Sequence, residues 1–171
     1  MPIELDPEEF TLVRFDASRV RAIAEDVAAR VGLGDTPIHI TVEERSPLGF
    51  VSISSLDPLA LHLEGGAIEN PKRPRELSEE GCREAIGRLL LEAHDRLDPD
   101  FGAPALGVEV PSATRVAWDT YIVGRLVRAG GRDQQQRRRY AFRVRHGFDD
   151  GADDRFDRLW ISDGLTFADL S

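Results

Sequence analysis

His94 and Asp98 lie four residues apart in the run LLEAHDRLD, a spacing that sets an imidazole and a carboxylate one turn apart on one helix face. Metal ions use such pairs, and His62 and His146 are the imidazoles that a fold would have to bring up to complete a ligand set. The simpler account is that His94 pairs with Asp98 and that His146 closes its own helix. A second constellation sits on alternating segments. If 38–43, 50–56 and 59–64 are neighbouring strands, Thr41, Ser52 and His62 fall in one cross-strand row, with Glu43 and Glu64 in the next. Serine, histidine and acid are the material of nucleophilic catalysis. The chain has no GxSxG elbow and no loop to hold an oxyanion, so the row reads as the solvated face of a one-sided sheet, and no catalytic residue is assigned.

The stronger chemical signal is cationic. Positions 115–145 carry nine arginines against Asp119 and Asp133, in a chain whose net charge is −9, and positions 146–171 answer with seven aspartates against Arg155 and Arg158. A guanidinium is a planar fork that fits carboxylate or phosphate, and Tyr140 adds a flat face for stacking. The candidate anion- or partner-binding surface therefore joins Lys72, Arg73 and Arg75 of the loop NPKRPRE to Arg137, Arg138, Arg139, Tyr140, Arg143 and Arg145. The acidic last segment is the intramolecular mate for these arginines; an acidic protein partner or a second copy of the chain is the intermolecular one. Nucleic acid is disfavoured, because the whole-molecule charge repels a polyanion and no nucleic-acid-binding motif is present.

Positioning these groups takes helices and a small sheet. Val20, Ile23, Ala24, Val27, Ala28 and Val31 recur at three- and four-residue spacings, predicting a helix over 18–31 that Asp16 caps and Gly32 and Gly34 end. Three strands with one apolar face each follow, and the simplest pairing is an antiparallel meander. Pro71 and Pro74 hold the 70–76 loop extended. Ser78 caps a helix with Cys82, Ile86, Leu89, Leu90, Ala93 and Leu97 as its buried stripe, stopped by Pro99, and a third helix runs over 112–129 with Trp118 anchoring it. In 133–146 the residues Tyr140, Phe142 and Val144 alternate as in a strand, yet the run is rich in helix formers; helix is favoured, with Asp133 at its start, Gly147 after its end, and Tyr140, Ala141 and Val144 facing inward. A last helix begins at 149 or 150 and ends at 161. The expected fold is a single α+β domain over 1–171: a small antiparallel three-stranded sheet packed against helices within 1–100, and a helical C-terminal part over 110–171.

With 171 residues the chain is long enough for a sizeable core. Cys82 is the lone cysteine, which excludes an intramolecular disulfide and a cysteine-cluster zinc site. GxGxxG and GxxxxGK[ST] are absent, so no cofactor is expected. The start MPIELDPEEF is acidic and lacks the apolar run of a signal peptide, no stretch is long enough to span a membrane, and the expected compartment is the cytoplasm.

The stretches LEGGAIENPKRPRELSEE from Leu63, AWDTYIVGRLVRAGG from Ala117, YAFRVRHGFDD from Tyr140 and the following FDRLW resemble an uncharacterised actinobacterial protein family. That resemblance implies no activity, since the family has no established function. The succession of one helix, a small sheet and a long helix is also similar to the minimal zincin-like scaffold of small metalloproteases. That scaffold's zinc motif, HExxH, is absent, and the comparable helix offers only Glu92, His94, Asp95 and Asp98. The leading expectation is a non-catalytic protein acting through protein–protein contacts. The alternatives are a metal-dependent hydrolase with a non-standard ligand set, and nucleic-acid or phosphate binding through the arginine block.

Overall fold

The computed structural model describes residues 3–171. The chain divides into two compact units, one running to His94 and the other from Asp95 to Ser171.

The first unit is a mixed four-stranded sheet with helices. Its elements are β1 (Ile3–Asp6), α1 (Ala17–Arg30), β2 (Ile38–Glu43), β3 (Val51–Leu56), β4 (Leu59–Glu64) and most of α2 (Glu79–Leu97). The strand order is β1-β2-β4-β3, with β1 parallel to β2, β2 parallel to β4, and only β3 antiparallel to β4. This corrects the expected three-stranded antiparallel meander. Period-2 alternation fixes which side chains share a face but is silent on which strand lies next to which. The faces themselves are as expected: Ile40 is opposite Leu61, which is opposite Ile53, and Ile38, Ile40, Val42, Leu59, Leu61 and Leu63 are all buried. Between Ile53 and Ser55 the ladder skips a residue, so Ser54 is an extra residue on β3. The bulge changes the parity of the strand and sets Leu56 opposite Leu59.

Helix α1 starts where the Asp16 carboxylate accepts the amides of Ser18 and Arg19 at 2.9 and 3.3 Å. It ends at Gly32, whose φ of +83° suits a residue without a Cβ, and the Leu33 amide donates back to the Ala28 carbonyl at 2.8 Å. Between these ends it buries Val20, Ile23, Ala24, Val27 and Ala28. Helix α2 opens with the Ser78 hydroxyl accepting the Gly81 amide at 3.0 Å and with Glu79 and Glu80 in its positive first turn. Cys82, Ile86, Leu89, Leu90 and Ala93 are buried along it. The Cys82 thiol is pushed up to about 12 by burial, which makes it an inert apolar filler.

The second unit is helical: the end of α2, then α3 (Ser112–Arg128), α4 (Gln135–His146) and α5 (Asp150–Ile161). The three helices pack pairwise on one another. Trp118, Tyr121, Ile122, Phe142, Phe156, Leu159 and Trp160 are buried, and Phe142 meets Phe156 edge-on at 5.7 Å between ring centroids. Helices α3 and α5 come so close at Gly124 that a Cβ there would lie 2.2 Å from the Trp160 carbonyl oxygen, a contact only glycine permits. Asp95, 3% exposed, accepts the indole N–H of Trp118 at 2.8 Å and both terminal nitrogens of Arg125.

Candidate interaction surface

The run of arginines that dominates the sequence folds as helix α4. Its first free amide, that of Gln135, donates to the Asp133 carboxylate at 3.0 Å, and the chain leaves the helix at Gly147 with φ +110°. Arg143, Arg145 and His146 fill the last turn, where cations complement the exposed carbonyls. Phe142 alone of this helix is buried. Strand-like alternation of Tyr140, Phe142 and Val144 thus carries no structural meaning, because Phe142 alone of the three faces the core while Tyr140 and Val144 stay exposed.

On its inner flank α4 meets the aspartates of α5. Arg143 grips Asp153 with two parallel bonds of 2.8 and 2.7 Å. Arg139 pairs with Asp157, stands 3.9 Å from Asp153, and lays its guanidinium 4.6 Å from the centroid of the Phe156 ring. The hydrogen bond from Arg143 holds the Asp153 carboxyl below the usual carboxylate range and raises Arg143 itself. Elsewhere in the block Arg138 donates to Gln134 at 2.9 Å, Arg128 reaches the carbonyls of Trp160 and Ser162, Arg125 binds Asp95, and Arg115 pairs with Asp119 at 2.8 Å. Much of the positive segment is therefore matched within its own unit.

The outer flank of α4 is different. Arg137 and Arg145 are exposed and make no ion pair among the described residues. Between them in the helix lie Tyr140 at 63% exposure and Val144 at 57%, and just past the helix end comes Phe148 at 67%. Tyr140 and Phe148 touch edge-on at 6.1 Å. Arg137, Tyr140 and Val144 follow one another at three and four residues and share one helix face, with Arg145 at its edge, and Phe148, past the helix end, joins them through its contact with Tyr140. An apolar and aromatic stripe rimmed by cations is the composition of a contact surface rather than of a solvated helix. Tyr140, Ala141 and Val144, expected to face inward, are all exposed because Phe142, about 100° around the helix from Ala141, takes the inward position; Phe148 has no periodic signal in the sequence, since it lies past Gly147 and outside the helix.

Lys72, Arg73 and Arg75 belong to the first unit, on the 70–76 loop, which is folded into turns rather than extended. The Arg73 amide donates to the Asn70 carbonyl at 3.2 Å and the Glu76 amide to the Arg73 carbonyl at 3.1 Å. Each turn has proline at its second position, where the fixed φ of the ring is wanted. Arg73 stands 3.7 Å from Glu76.

The other candidates separate. Thr41, His62 and Ser52 do form one cross-strand row, with Glu43 beside Glu64. That face is half-buried rather than solvated: the His62 ring meets Glu64 Oε1 at 3.3 Å, and Glu64 Oε2 is buried without a hydrogen-bond partner among the described residues. His146 stacks on Phe142 at 4.0 Å and donates from Nε2 to the Ala113 carbonyl at 2.9 Å; burial lowers its pKa. Asp98 accepts the Asp100 amide at 2.9 Å. Among the described residues no three His, Cys, Asp or Glu side chains are grouped to hold a metal ion, and no helix is long and apolar enough to cross a membrane. Compared with protein families, curated proteins and solved structures, the chain matches none.

Proposed function

We propose that this is a non-catalytic protein that works by docking an acidic protein surface on the outer face of α4. The observation that carries the reading is the division of labour within one helix. Arg139 and Arg143 are held by aspartates of the same unit, whereas Arg137 and Arg145 flank exposed Tyr140 and Val144, and exposed Phe148 touches Tyr140. Aromatic side chains and arginine are the types enriched at the centres of protein interfaces, and a cationic rim selects an acidic partner and speeds encounter.

A photocrosslinker placed at position 144 of the full chain in its native host tests this directly. The expected result is a covalent adduct with an acidic protein that disappears when Arg137 and Arg145 are both replaced by Glu. No adduct from position 144, or one that survives the double charge reversal, would overturn the reading. An adduct between two copies would replace the acidic partner by self-association. Salt-sensitive anisotropy changes with labelled DNA or RNA, lost in the same variant, would replace it by nucleic-acid binding. About one equivalent of tightly bound metal in untagged protein would favour a hydrolase instead.

A further inference from the structure

The second turn of the 70–76 loop holds an unusual residue. Arg75 occupies its third position with φ +68°, and it is the one non-glycine residue with positive φ among those described. A turn with positive φ at this position favours glycine or asparagine, because a Cβ crowds the backbone there. The fold uses only the Arg75 backbone: its amide donates to Glu69 Oε1 at 2.6 Å, and its carbonyl accepts the Arg14 amide at 2.7 Å. Glycine would serve both bonds with less strain. The exposed guanidinium has no hydrogen-bond or ion-pair partner among the described residues, so nothing in the fold calls for an arginine.

What the side chain does have is a cleft. Arg75 lines a hollow of about 450 Å³ in the first unit, and Arg45, also exposed and without an ion pair among the described residues, lines it too. Leu12, Val13, Phe15 and Pro47 supply its apolar wall. Two carboxylates border it, but both are engaged by the backbone: Glu44 Oε1 accepts the amides of Thr11 and Leu12 at 2.8 and 2.9 Å, and Glu69 accepts that of Arg75. Both carboxylates keep their charge, but each is fixed in place by these amides, whereas the two guanidinium groups have no hydrogen-bond or ion-pair partner among the described residues. A non-glycine residue held in strain beside a concave surface is a known mark of a binding site.

We propose that this cleft binds a small amphiphilic anion, a carboxylate or phosphate group on an apolar body. Arg75 and Arg45 hold the anionic group, and the apolar wall receives the rest. A guanidinium takes either group through paired N–H donors, so the chemistry is shared between the two sources. This site is independent of the docking face on α4, and either can fail without the other.

Calorimetric and amide-NMR titrations of the full chain use octanoate, octyl phosphate and, as the uncharged control, octanol. Saturable binding of at least one anion is expected, with amide shifts at Leu12, Ser46 and Arg75 and with octanol about tenfold weaker or worse. Tighter octanoate assigns the site to carboxylates, and tighter octyl phosphate to phosphates. Arg75→Gly relieves the strained φ, so its melting temperature stays level or rises while affinity falls by about tenfold or more. Arg45→Gln weakens binding as well. Absence of saturable binding by both anions overturns the proposal, and so does binding that survives both substitutions. A lowered melting temperature in Arg75→Gly overturns it too, by showing that the arginine serves the fold.

Discussion

Asp95 and Arg125 meet through two parallel hydrogen bonds of 2.8 and 2.7 Å in the interior of the helical unit, and the Trp118 indole completes the carboxylate's partners. A buried charge pair loses most of its hydration, so each member depends on the other. Removing Asp95 leaves Arg125 and the Trp118 N–H without their acceptor. Asp95→Ala should therefore cost about 3–5 kcal/mol in denaturant unfolding, and Asp95→Ala with Arg125→Met should lose less than the two single variants added together.

The sheet of the first unit gives a sharper contrast between neighbours. Leu61 is fully buried, and His62, next to it on the opposite face, is not. Leu61→Ala should cost about 2–5 kcal/mol through lost burial and the cavity left behind. His62→Ala removes a single hydrogen bond to Glu64 and should cost about 1 kcal/mol or less. Urea melts of the two variants check the difference.

Within α4 the arginines should sort by partner. Arg139→Gln and Arg143→Gln remove ion pairs to Asp157 and Asp153, so both should lower the melting temperature, and the loss should shrink at high salt where exposed pairs are screened. Arg137→Gln and Arg145→Gln should leave the melting temperature unchanged. Scans at low and high salt separate the two groups.

His146 predicts the direction of a pH effect. Burial depresses its pKa in the fold, while the unfolded chain takes up a proton at the ordinary value of about 6.5. The unfolded state then binds more protons as the pH drops, so the stability that neutral His146 supplies is present above about pH 6.5 and is lost as pH falls through the lower folded value. His146→Gln should flatten this dependence. Comparing melting temperatures of both proteins at about pH 7.5 and about pH 5.5 measures it.

The helices were legible because their ends carry local signals: Asp16 and Ser78 at the starts, Gly32 and Gly147 at the stops, with apolar residues at helical spacing between them. The sheet was legible only in its faces. Ile40, Ile53 and Leu61 share the buried side as their alternation demands, but insertion of β4 between β2 and β3 is a long-range choice that no local pattern encodes. β1 has no comparable local signal, because Ile3 and Leu5 are too short an alternation to mark a strand. For the candidate surface, the opposite charges of 115–145 and 146–171 left both internal pairing and an outside partner open, and Arg128, Arg139 and Arg143 are the ones the fold pairs with aspartates of 146–171. Which arginines remain outside that pairing depends on the angular position of each residue around α4 and α5. Arg75 was visible as a charge, whereas its left-handed backbone follows from a turn closed by partners such as Arg14 and Glu69, remote from it in sequence or fixed by tertiary contact.

The extra residue in β3 also bears on how the molecule behaves in a crowd. β3 is an outer strand, and a regular outer strand invites another chain to zip onto its free amides and carbonyls. Ser54 breaks that template into two short runs out of phase with each other, so an incoming strand finds no continuous partner. Deleting Ser54 would restore the even repeat and, with it, a seam along which molecules could polymerise. Light scattering at rising concentration should show assemblies in the deletion variant at concentrations where the parent stays dispersed.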